Sequence, residues 1–99
     1  MPYDLSIASA AEQDIREAFL WYEMQQKGLG SKFQEAVTQA VASIQSNPLK
    51  VQIRYGSTRV FFLRKFPYGV HLQVDKKACH ILLLAFFHTS QNIPTWTPQ

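Results

Sequence analysis

The stretch Ala78 to His88 (ACHILLLAFFH) constrains the fold more than any other. Cys79, Ile81, Leu83, Ala85 and Phe87 alternate with Leu82, Leu84 and Phe86, so both faces of an extended segment here are apolar. A strand of that kind is covered on both sides, by its own fold or by a partner. The segment before it has the cleanest period of two in the chain: Tyr68, Val70, Leu72 and Val74 against Gly69, His71, Gln73 and Asp75. The polar Asp75-Lys76-Lys77 turn joins the two as an antiparallel hairpin. Upstream, Arg59 to Lys65 (RVFFLRK) is rich in β-formers and runs into a Phe66-Pro67-Tyr68-Gly69 turn. A shorter strand is expected near Val51 to Tyr55, and a first strand over residues 3–8.

Between the first strand and the others the period changes. Ala11, Ile15, Ala18, Phe19 and Tyr22 make one apolar helical stripe, and Leu29, Phe33, Val37, Ala40, Val41 and Ile44 make a second. Ser9 and Glu12 have the spacing of a capping box. Gly28-Leu29-Gly30 connects the two helices, with Gly28 as the left-handed residue, and Asn47-Pro48 stops the second. The expected class is α+β. A first strand precedes an antiparallel helical hairpin, which packs on one face of a three- to five-stranded antiparallel sheet, all in one domain over residues 1–99.

Composition narrows the function classes. The chain has 99 residues, 13% of them aromatic, enough to fill a core. Its longest apolar run, Ile81 to Phe87, falls far short of the ~20 residues of a spanning helix, and no leader pattern opens the sequence. One cysteine, Cys79, excludes an internal disulfide and a cysteine-based zinc knuckle. A cytoplasmic protein without metal or cofactor is expected. The net charge of +3 is unevenly placed. Residues 1–49 carry three bases and six acids, residues 50–99 seven bases and one acid. The basic half suits an anionic partner or a solvated face.

In order along the chain stand Asp14-Ile15, Trp21-Tyr22-Glu23, Gly28-Leu29-Gly30, Phe33, Asn47-Pro48, Arg59, Lys65-Phe66-Pro67-Tyr68-Gly69-Val70, Ile81 to His88, Ser90 and Trp96. The ordered set resembles the RelE/ParE superfamily of bacterial toxins, often described as plasmid-stabilisation proteins, and is closer to ParE-like members. The resemblance covers roughly residues 3–96. It implies the toxin of a type II toxin–antitoxin pair, neutralised by a small cognate antitoxin. ParE-like members poison DNA gyrase without a nuclease site; RelE-like members cleave mRNA on the ribosome. A third reading is a non-toxic partner-binding relative.

Cleavage of RNA by its own 2′-hydroxyl needs a base, an acid and cations around the phosphorane. The acid–base candidates are His88 and His71, and the cations Lys50, Arg54, Arg59, Arg64 and Lys65. His88, at the end of the last strand, and Arg59 are the catalytic pair if the protein is a nuclease. His88 is alternatively a hydrogen-bonded strand end, and Arg59 alternatively an ion-pair partner of Asp14 or Glu23. The wider binding set is Arg54, Arg64, Lys65, Tyr68, His71, Ser90 and Trp96, with His71 expected on a solvated sheet face. Gln91 stands where many relatives carry arginine, which weakens a phosphate site. Trp21 and Tyr22 suit the core or a homodimer face. Phe61, Leu63, Leu82, Leu84 and Phe86 are the expected antitoxin-covered face, each worth ~1.5–3 kcal/mol on full burial.

Overall fold

A computed structural model describes residues 3–90. Chain order is β1 (Asp4–Ile7), α1 (Ser9–Gln25), α2 (Leu29–Ser46), a 3-10 turn (Pro48–Lys50), β2 (Ile53–Tyr55), β3 (Thr58–Phe62), β4 (Tyr68–Asp75) and β5 (His80–His88). The five strands form one sheet in the order β1-β5-β4-β3-β2. The expected α+β architecture is present, with one correction to the sheet: it is mixed. β2 to β5 pair antiparallel, as their short connections require, whereas β1 lies parallel to β5, Leu5 opposite Ile81 and Ile7 opposite Leu83. The helical hairpin separates β1 from the other strands, so β1 enters at the far edge in the direction of β5.

The two apolar stripes face the sheet. Ala11, Ala18 and Tyr22 of α1 and Phe33, Val37, Ala40 and Ile44 of α2 are buried against Val70, Leu72, Ile81, Leu83 and Phe86. At one end of this core Tyr22, Phe33, Phe66 and Tyr68 form an aromatic cluster, with ring centroids 4.9–5.4 Å apart for the Tyr22–Phe66, Phe33–Phe66 and Phe33–Tyr68 pairs. The turn before β4 thereby packs under the connected end of the hairpin.

The hairpin itself is closed by one carboxylate. Gly28 sits at φ +90°, and the amides of Gly28 and Gly30 each donate to Glu23, at 3.0 Å. Glu23 thus satisfies two of the N–H groups that α2 leaves unpaired at its start. A Cβ on Gly30 would lie 2.8 Å from Glu23 Oε1 and 2.9 Å from the Phe19 carbonyl oxygen, so the helices meet there through bare backbone. The capping box expected at Ser9 does not form. Helix α1 begins one residue earlier, with Ala8 at its N-cap and Glu12 N–H donating to the Ala8 carbonyl. The Ala8 amide is in turn held by the Leu83 carbonyl, so β1 runs straight into the helix.

A bulge in β5 overturns part of the expected face assignment. Leu72 pairs with Leu83 and His71 with Ala85, leaving Leu84 without a β4 partner. The extra residue reverses the alternation beyond it. Phe86 therefore joins Ile81 and Leu83 beneath the helices, 2% exposed, while Leu82 and Leu84 stay half-buried outside the core cluster. Leu63 is buried in the core, with Phe61 packed against it. The five residues expected to share one antitoxin-covered face are thus divided between the two sides of the sheet.

Candidate functional site at the end of the last strand

The bulge also builds the most distinctive site on the surface. β1 stops at Ile7 opposite Leu83, and beyond it the edge of β5 is open. The Phe86 amide on that stretch donates to Asp14 Oδ2 at 3.0 Å. Asp14 lies one helical step from Glu17 and two from Trp21, a stripe beside the buried one. These residues, with Ala18, Tyr68, Phe86 and Phe87, line a cleft of about 250 Å³ between α1 and the sheet. Burial holds the Asp14 carboxyl above its ordinary range, the Glu17 charge adds to this, and the Phe86 N–H opposes both. Burial also raises the Tyr68 phenol, reinforced by Asp14.

Tyr68 connects this cleft to the last strand. It pairs in register with His88, and the two rings meet edge to face at 5.2 Å. The Ser90 amide donates to His88 Nδ1 at 3.1 Å, and Ser90 Oγ lies 2.7 Å from the same nitrogen. With Nδ1 accepting, the neutral ring carries its proton on Nε2. Of the residues singled out in the sequence, Tyr68, His88 and Ser90 therefore do come together. Trp96 and Gln91 lie outside the described residues.

The others are elsewhere. Arg59 lies opposite Leu72, four positions along β4 from Tyr68 and on the other neighbouring strand, so Arg59 and His88 do not converge. Its guanidinium donates to the carbonyls of Val51 at 2.7 Å and Leu49 at 3.2 Å, not to Asp14 or Glu23. It pins the 3-10 turn and the strand after it to the sheet. Arg54 stacks over the Phe62 ring at 5.4 Å. Arg64 and Lys65 line a groove of about 920 Å³ between α2 and the end of β3, whose walls include Lys32, Ala36, Ala40, Phe61, Leu63 and Phe66.

His71 corrects the expectation of a solvated face. It is 1% exposed, on the side of the sheet away from the helices, with Tyr55 Oη 2.8 Å from its Nδ1 and the Phe87 ring edge-on at 4.8 Å. Burial lowers its pKa to about 4, so the ring is neutral near pH 7.

Sequence reading missed Asp14, Glu17 and Trp21 as a group. Their spacing of three and four was the available signal; the bulge that gives Asp14 its strand partner had none. Among the described residues, no group of three metal-ligating side chains comes together, and no helix is long and apolar enough to cross a membrane.

No family model and no curated protein matches the sequence. Solved structures do match the fold. A chain of the chromosomal ParDE toxin–antitoxin system from P. aeruginosa superimposes with a TM-score of 0.77 at 16% identity, over 89% of this chain and 97% of that one. The intact E. coli RelBE toxin–antitoxin complex gives 0.67 at 16% identity, over 90% and 99%. The isolated E. coli RelE toxin gives 0.66 at 16% identity, over 91% and 87%. The chain has the RelE/ParE toxin fold.

Proposed function

We propose that this protein is the toxin of a type II toxin–antitoxin pair, that it works by binding a protein target as ParE-like members do, and that a cognate antitoxin neutralises it. DNA gyrase is the target that the sequence resemblance implies, and the cytoplasm is where both partners would be met. One observation carries the choice of a binding mechanism over RNA cleavage. The His88 corner is bordered, through Tyr68, by a cleft containing Asp14 and Glu17, while Arg59 is committed to backbone carbonyls and Arg64 and Lys65 line a different groove. A phosphorane carries extra negative charge and needs cations aimed at it. Carboxylates in that position oppose it, and no cation is among the residues that line the cleft.

The antitoxin is assigned to the groove between α2 and β3. Ala36 and Ala40 leave a shallow apolar floor, Phe61, Leu63 and Phe66 form the opposite wall, and Lys32, Arg64 and Lys65 outweigh the single acid, Glu35, to leave the groove positive. This suits an amphipathic acidic segment. Two of the five residues expected on the antitoxin face, Phe61 and Leu63, line it.

Pulsed induction in a bacterium tests the reading. A protein-target toxin arrests growth, relaxes a supercoiled reporter plasmid and leaves a translated reporter mRNA uncut. New 5′ ends within codons, lost when translation is blocked, would replace it with the ribosome-dependent nuclease, and normal growth would replace it with the non-toxic partner-binding relative.

A further inference from the structure

On the outer face of α1, Leu20 and Met24 have no role in either assignment above, and Trp21 joins them to the cleft. Leu20 is 54% exposed, Trp21 56% and Met24 83%, one contiguous apolar patch on a helix of a small protein. Together they expose roughly 400 Å², at the scale where such patches on monomers mark interaction surfaces. The patch ends at the 250 Å³ cleft, where Trp21 is itself a wall and Tyr68 and Phe87 supply further aromatic surface. Two carboxylates, Asp14 and Glu17, complete that lining.

Shape and charge together select the occupant. An aromatic lining beside carboxylates matches a guanidinium, which packs on aromatic rings while donating in its own plane. An ammonium fits the charge but not the packing. A nucleic acid is refused by the two carboxylates. Asp14 already spends one oxygen on the Phe86 amide, which fixes its carboxyl plane toward the sheet. Glu17 accepts from Gln13 Nε2 at 2.9 Å, which holds its carboxylate along the helix surface.

We infer that the outer face of α1 is a docking surface for a polypeptide presenting an arginine flanked by apolar side chains, the arginine entering the Asp14–Glu17–Trp21–Tyr68 cleft and its neighbours covering Leu20 and Met24. The inference stands apart from the toxin reading, since it concerns binding and needs no toxicity.

The test is a titration of the full chain with acetyl-Leu-Arg-Leu-amide, and with the same peptide carrying neutral citrulline for arginine. The readout is the indole N–H resonance of Trp21, identified by its loss in Trp21→Phe. The arginine peptide is expected to move that resonance saturably, with the citrulline peptide about fivefold weaker or worse. Glu17→Gln, an exposed substitution that keeps the hydrogen-bonding shape, is expected to remove most of that difference. Equal binding of the two peptides, or no movement of the indole by either, overturns the inference. So does a chain that sediments as a dimer and becomes monomeric on Leu20→Glu, because a second copy then covers the face.

Discussion

Arg59 and His71 show how a residue's type can suggest chemistry that its surroundings assign to structure. Arg59 combines a strand position with a fork of donors, and in the sequence that reads equally as a phosphate clamp or an ion pair. The fold gives it two carbonyls instead, at the one place where the chain leaves α2 and turns back into the sheet. Arg59→Ala is therefore expected to destabilise the protein by about 2 kcal/mol in denaturant unfolding. Arg59→Lys is expected to recover only part of this, because both bonds come from Nη1 and the shorter lysine side chain ends one atom short of that position. His71 was legible as one of the outward residues of an alternating strand, but not as buried, because alternation reveals which side a residue takes and not what lies on it. Its lowered pKa fixes a sign. Above pH 6.5 the ring is neutral in both states and its contribution to stability is complete. As pH falls from 6.5 toward about 4 the unfolded chain takes up a proton that the folded chain refuses, and stability declines by at most ~3 kcal/mol. Comparing unfolding midpoints of the wild type and His71→Gln across that range isolates the effect; parallel pH profiles would show that His71 does not supply it.

Both helices were legible as elements because their stripes are long and keep one period, and β4 because its alternation is unbroken. The element boundaries that escaped all lie where one element is finished by another. The Ser9 cap is replaced by β1 feeding directly into α1, and the α2 start is capped from Glu23, seven residues before Gly30. That last arrangement gives the motif strings a physical meaning: Trp21-Tyr22-Glu23 and Gly28-Leu29-Gly30 are the two halves of one clamp. Gly30→Ala is expected to cost about 2 kcal/mol, since its Cβ would press on the Phe19 backbone carbonyl and on the carboxylate that caps α2. Glu23→Ala is expected to weaken the same junction while leaving room at Gly30. The two losses should be strongly non-additive in a double-variant cycle, because either change alone releases the same contact. The bulge at Leu84 left no sequence signal at all. It is a register event between β4 and β5, and a run apolar on both faces tolerates either phase, so nothing in the pattern of ACHILLLAFFH penalises the switch that buries Phe86.

At the scale of the molecule, the sheet order joins the first strand to the last, and this could not be read from connection lengths, which speak only for neighbours in sequence. The same order fixes where the two openings lie. The helices cover one face of the sheet, the groove opens where α2 meets β3, and the acidic cleft opens where α1 meets the unpaired end of β5, so the two openings belong to different helices. The charge asymmetry of the sequence acquires a geometry from this: the acidic half supplies α1 and its cleft, and Arg64 and Lys65 from the basic half form one wall of the groove. A neutralising partner in the groove should therefore be held by an attraction that salt weakens, while the cleft remains untouched. Replacing Lys32, Arg64 and Lys65 together by Glu is expected to leave growth inhibition intact, to reduce antitoxin affinity by tenfold or more, roughly, and to flatten the salt dependence of binding, since each exposed pair contributes up to ~1 kcal/mol. Co-expression with the cognate antitoxin reads the first two effects as loss of rescue, and calorimetry at two ionic strengths reads the third. A triple variant that is still rescued, with an unchanged salt slope, would move the antitoxin off this groove. A variant that is no longer toxic even without antitoxin would place the toxic surface on the groove itself.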